Sequence, residues 1–101
     1  MSVAADRLPF QKPRKRIVDR VALTRYLRAH PFCECGCKRR STHFHHLRSR
    51  KMGGDDVPDN GLALFWRCHD EWHRIGGRRW LRAHAKLSDE ARTKVEKALR
   101  L

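Results

Sequence analysis

The sequence predicts an α+β fold, mostly helical outside one short two-stranded hairpin. Three observations carry that expectation. Apolar residues recur at helical spacing over residues 17–29. The apolar run GLALF (61–65) follows a strand-like stretch around Phe44 after a turn-rich loop. Beyond it, Gly76-Gly77 and then Ser88 punctuate stretches that read as helices. At 101 residues there is room for one modest domain.

The elements follow in order. Residues 1–16 read as a basic, flexible arm with Pro9, Pro13 and the cluster Lys12, Arg14, Lys15 and Arg16, whose charges suit phosphate contacts. Residues 17–101 form the single domain. Its first helix spans 17–29, with Val18, Val21, Ala22, Tyr26 and Ala29 on one face, and Pro31 ends it. Residues 31–40 hold Cys33, Cys35, Cys37 and one glycine in a tight turn. Thr42, Phe44 and Leu47 then flank histidines in the first strand. Gly53-Gly54, Asp55-Asp56 and Pro58-Asp59-Asn60 mark residues 48–60 as a loop. The second strand is 61–65, followed by a helix from Trp66 to about Ile75 and a shorter one over 78–86. Ser88 caps a last helix, 89–101, whose acidic first turn suits the helix dipole. There is no internal repeat.

Charge narrows the function classes. Twenty-four Lys and Arg face eleven Asp and Glu, a formal +13, and a field of that size attracts polyanions. Nucleic acid is the expected partner. No membrane is expected: no apolar run approaches the ~20 residues that span a bilayer, and no long basic amphipathic stretch suits an anionic surface. The N-terminus lacks the apolar region of a secretory signal. A cytoplasmic location is therefore expected, where four cysteines argue for metal binding or plain thiols over disulfides.

Four histidines carry the chemistry. His69 and His73 are four residues apart in an expected helix, so both imidazoles lie on one face within reach of one ion. His45 and His46 are adjacent in an expected strand and point to opposite faces. One can be a ligand while the other keeps a free nitrogen beside the metal. A phosphodiesterase needs that division: a Lewis acid on the phosphate and a base near the attacking water. A His-rich structural zinc site is the competing reading of the same set. His30 and His84 read as solvated, and His43 shares a strand face with His45.

HFHHL (43–47), the glycine-bearing loop, DNGLAL (59–64) and CHDEWH (68–73) together resemble the HNH, or ββα-metal, nuclease motif. The resemblance implies a ββα-metal core, over residues 33–76, with flanking helices. It also implies roles: His45, His69 and His73 as metal ligands, His46 as general base, and Asn60 as the residue whose side chain ties the loop. Asp-Asn-Gly is also a good turn on any protein. The segment HRIGGRRWLRAH (73–84) is similar to one that follows the motif in small phage-encoded HNH proteins, including recombination-associated ones. That similarity implies phage packaging or recombination proteins as partners, and the cytoplasm of a bacterial host as the setting. Whether the protein is a monomer or a homodimer stays open.

The cysteines leave alternatives open. Many HNH proteins bind a structural zinc through two CxxC pairs. Here Cys33, Cys35 and Cys37 alternate on the first side, and Cys68 stands alone on the second, because its expected partner position holds Phe65. A four-cysteine site, a three-cysteine site completed by His43, and no zinc with Phe65 filling the core are the three readings. CxC steps in an extended strand suit one ion poorly. Of Trp66, Trp72 and Trp80, at least two are expected in the core. Arg48, Arg50 and Lys51 beside the base, and Arg67 and Arg74 flanking the metal helix, are expected phosphate clamps.

The expected function is a divalent-metal-dependent endonuclease that nicks DNA. Mg²⁺ or Mn²⁺ is the working ion, with Ni²⁺ or Zn²⁺ also fitting a three-histidine set. A non-catalytic zinc-binding DNA module and an RNase on the same fold are the rivals.

Overall fold

The computed structural model describes residues 15–100. Lys12 and Arg14, and nearly all of the arm, lie outside the described residues. The order is helix α1 (Arg20–Ala29), strand β1 (His43–His46), strand β2 (Gly61–Leu64), and helices α2 (Trp66–Ile75), α3 (Gly77–Ala83) and α4 (Asp89–Leu99). Two 3-10 turns, Arg50–Met52 and Pro58–Asn60, shape the loop between the strands. This is the α+β architecture expected: a ββα unit flanked by helices.

α1 begins later than the apolar spacing suggested. The Asp19 carboxylate accepts from the Ala22 backbone N–H and caps the helix there. Ile17, expected inside the helix, instead donates its N–H to the Asp55 carboxylate and accepts from the Asp56 N–H in the loop. Ile17, Val18 and Val21 stay exposed, so the expected apolar face is buried only at Tyr26. The Tyr26 hydroxyl donates to Glu34 Oε2 at 2.7 Å and accepts from Lys94 Nζ at 2.8 Å. Burial, and then Glu34 beside it, hold this phenol well above its ordinary pKa. Lys94 also reaches the carbonyls of Pro58 and Gly61, so α4 is pinned to the hairpin by one ammonium.

The strands pair antiparallel in the register His43 to Leu64, Phe44 to Ala63, His45 to Leu62 and His46 to Gly61. All four residues of β2 are buried. Gly61 is required by a close approach: a Cβ there would lie 2.0 Å from the Phe44 ring. Leu62 and Leu64 pack with Trp72, Trp80, Leu81, Leu87, Ala91 and Val95 into one core. Trp80 is fully buried and its indole N–H donates to the Cys68 carbonyl at 3.0 Å. Trp66, in contrast, is exposed.

Gly76 ends α2 at φ 88°, a conformation that favours glycine. Gly77 was expected to share in that ending but starts α3. It sits so close to Trp72 and Leu99 that a Cβ would come within 3.0 Å of both side chains. Ser88 Oγ accepts from the Ala91 N–H and opens α4. Among the described residues no helix is long and apolar enough to cross a membrane.

Candidate metal centre and active site

Strand alternation sends His45 and His46 to opposite sides of the hairpin. His45, 1% exposed, turns toward α2, where its ring packs against Trp72 at 4.5 Å. Its Nδ1 lies 3.0 Å from His69 Nδ1, and the His69 and His73 ring centroids are 4.7 Å apart across one helical turn. One nitrogen from each of His45, His69 and His73 lies within 4.8 Å of the others.

Burial, and then the neighbouring His69 and His73, push His45 down to about 3, and burial, then His73 and His43, lower His69. The His45 and His69 rings are therefore neutral near pH 7, with lone pairs available. His45 Nε2 is buried without a hydrogen-bond partner. Burial falls off from His45 through His69 to the exposed His73, so the cluster has an open side. Three imidazoles with an open side fit a divalent ion that keeps coordination positions for water or substrate.

On the other face, His46 Nε2 lies 2.8 Å from Asp56 Oδ1. Asn60 follows at the end of the loop. Its side-chain oxygen accepts from the Arg48 N–H at 2.9 Å, and its amide donates to the carbonyls of Arg48 and Asp55 at 3.1 and 3.0 Å. The Asn60 carbonyl accepts from the Leu47 N–H at 2.8 Å, one residue after His46. His43 stacks on His69 with centroids 5.1 Å apart and planes 7° from parallel, while its Nδ1 bonds the Thr42 hydroxyl.

Asp56 went unread in the sequence, where Asp55-Asp56 looked like turn residues. It is 2% exposed and accepts from Arg16, from His46 and from the Asp19 N–H. Burial alone would raise its pKa, but those hydrogen bonds outweigh it and hold the carboxyl well below the usual range. A buried carboxylate and a turn aspartate have the same one-letter signature.

The second cluster is sulfur. Cys33, Cys35, Cys37 and Cys68 each offer a thiol within 4.8 Å of the others. Cys33 and Cys35 are 3.2 Å apart, Cys35 and Cys68 3.3 Å, and Cys37 and Cys68 3.8 Å. The objection to CxC spacing assumed an extended strand. The chain instead turns, with Gly36 at φ 88° and Lys38 at φ 67°, and the three sulfurs swing to one side. At Gly36 a Cβ would also meet Lys86 at 2.7 Å. Phe65 does not occupy the centre; it is partly buried, with the Arg39 guanidinium over its ring. The hydrogen bond shared with Cys35 lowers the Cys33 thiol, whereas that same bond and burial raise Cys35. Burial raises Cys68. Four thiols so close ionise together only around a cation, and the set fits a tetrahedral structural site.

The expected clamps divide. Arg48, Arg50, Lys51, Arg67 and Arg74 are exposed. Arg16 is instead drawn into an ion pair with Asp56 at 2.9 Å. Neither His30 nor His84 is simply solvated: His30 stacks on Tyr26, and His84 meets Glu71 at 2.6 Å. A cleft of about 970 Å³ lies between the loop and α4, but the histidines do not line it. Its lining mixes Arg48, Lys94 and Lys97 with Asp55, Asp59 and Glu90. Side-chain chemistry rather than concavity therefore locates the site.

A hairpin and helix that gather three imidazoles, with an asparagine tying the loop between them, have a counterpart among known proteins. Residues 33–74 match the family model described as HNH endonuclease. Over those residues the chain is similar to an HNH domain. Searches of the curated proteins and of the solved structures return no match. The HNH match begins at Cys33 and ends one residue after His73, so it takes in both candidate metal clusters.

Proposed function

We propose that the protein is a divalent-metal-dependent endonuclease that hydrolyses phosphodiester bonds in DNA, nicking one strand per binding event. The observation that carries this reading is the division of labour at the hairpin. A triad of imidazoles opens to solvent on one side, and a fourth histidine outside the triad immediately follows its buried member. A purely structural site has no use for that fourth histidine.

A divalent ion held by His45, His69 and His73 would supply Lewis acidity to the scissile phosphate and to the leaving 3′ oxygen. His46 takes the proton from the water that attacks phosphorus in line. Asn60 holds both ends of the loop beside His46, so the ring keeps its aim. Arg48, Arg50, Lys51, Arg67 and Arg74 clamp flanking phosphates. The product carries a 5′ phosphate. Mg²⁺ or Mn²⁺ is the working ion, and Zn²⁺ binds three imidazoles tightly enough to inhibit. The four cysteines would hold a separate structural Zn²⁺.

The test is plasmid nicking by metal-stripped wild type and His46→Ala, with Mg²⁺, Mn²⁺, Ni²⁺ or Zn²⁺ added singly. Wild type nicks, and the variant binds DNA equally but loses roughly 10²–10⁴-fold in rate. Equal cutting by the variant would refute the base assignment. If both bind and neither cuts DNA or RNA with any ion, the domain is a zinc-binding DNA module and the nuclease reading fails.

A further inference from the structure

The carboxylate behind His46 has a role the triad does not explain. We propose that Asp56 is a positioning residue that selects the tautomer of His46, and that Arg16 on the N-terminal segment holds Asp56 in place. The inference rests on the nuclease reading for its catalytic consequence, but not for its structural content.

A carboxylate only accepts hydrogen bonds. Asp56 Oδ1, 2.8 Å from His46 Nε2, therefore requires the proton of the neutral ring at Nε2. The lone pair is left on Nδ1, which becomes the nitrogen able to take a proton from water. As Nδ1 gains that proton, Nε2 keeps its own and Asp56 stays ionised. The charge that develops on the imidazolium faces a carboxylate, a favourable contact in a chain of formal charge +13.

Asp56 can hold that role because it is strapped from outside the hairpin. Arg16 Nη1 donates to Asp56 Oδ1 at 2.9 Å and to the Gly54 carbonyl at 3.0 Å. The Asp19 N–H donates to Oδ2 at 2.9 Å, and the Asp56 N–H returns a bond to the Ile17 carbonyl at 2.9 Å. One Asp55 carboxylate oxygen accepts from the Ile17 N–H at 2.7 Å. Residues 16–19 thus close over the back of the loop and order the base's partner, well outside the motif's own histidines and asparagine.

The experiment reads the tautomer and the rate separately. Long-range ¹H–¹⁵N correlation on the metal-free full chain near pH 7 reports which nitrogen of His46 is protonated. We expect Nε2–H in wild type, a mixed population in Asp56→Ala, and recovery of Nε2–H in Asp56→Asn, whose amide oxygen still accepts. In Mn²⁺-supported nicking, Asp56→Ala should lose ~10–100-fold in kcat with KM within about twofold, and Asp56→Asn should recover part of it. Arg16→Ala should lower kcat by less, in the same direction. An Nδ1–H tautomer in wild type overturns the proposal. So does a fall in Tm for Asp56→Ala with tautomer and kcat unchanged, which would make Asp56 a structural strap only. If Asp56→Ala does not fold, the wild-type tautomer and the Asp56→Asn kinetics decide. If wild type cuts nothing with any ion, the nuclease reading fails while the tautomer still tests Asp56.

Discussion

His45 shows how one buried side chain couples acid stability to the metal centre. Its folded pKa is pushed from 6.5 to about 3, first by burial and then by His69 and His73. Between those values the unfolded chain binds a proton that the folded chain refuses, so stability rises with pH through this window. The contribution is present above pH 6.5 and is lost as pH falls toward 3. The metal-free protein should accordingly show a urea midpoint that declines steadily from pH 7 to pH 4; a flat midpoint would contradict a desolvated His45. Asp56 acts in the same sense but lower, because its carboxyl is held below the ordinary 3.8 and its contribution fades only beneath that value. Divalent metal should steepen the dependence, since ligation requires unprotonated imidazole.

At the scale of elements, the region 31–40 depends most on something other than its own backbone. It has no helix or strand beyond a single bridge between Phe32 and Arg40. It is held by Cys33 and Glu34 backbone bonds and by four converging thiols. A metal at those sulfurs would join the turn to α2 through Cys68. Cys68→Ser should therefore cut bound zinc by one equivalent per chain and lower Tm by several degrees, with the Mn²⁺ requirement for nicking unchanged. Zinc content by mass spectrometry and a thermal melt check both, and unchanged zinc content would refute the four-cysteine assignment. The hairpin needs no such aid, because β2 is buried along its whole length and Leu62 and Leu64 enter the main core.

At the scale of the whole molecule, charge governs the encounter with substrate. A chain of +13 that neutralises several phosphates releases counterions, so its DNA affinity should fall steeply with salt. Arg48→Ala should reduce the slope of log K against log salt by about one, whatever the DNA sequence. Arg16→Ala should reduce it less, because its guanidinium is already paired with Asp56. Filter binding over a salt series separates the two, and equal slopes would return Arg16 to the phosphate-contacting set. Lys94, whose one ammonium meets Tyr26, Pro58 and Gly61, is likewise committed inside the fold rather than offered to DNA.

Much of this was legible in the residues alone. The order of elements, the hairpin, the i, i+4 placement of His69 and His73, and the opposed faces of His45 and His46 all follow from local periodicities. A period of 3.6 or 2 is written directly into spacing. The start of α1 was misread because apolar spacing ignored Asp19 as a cap and the pull of the loop on Ile17. The sulfur cluster stood as one of three readings of the cysteines, and the His46–Asp56–Arg16 chain was not legible. The first needs two residues at positive φ to gather alternating cysteines around a partner 31 residues away. The second needs residues 40 positions apart brought together by loop closure. Spacing records what neighbouring residues share, whereas burial and charge pairing between distant segments exist only once the chain has packed.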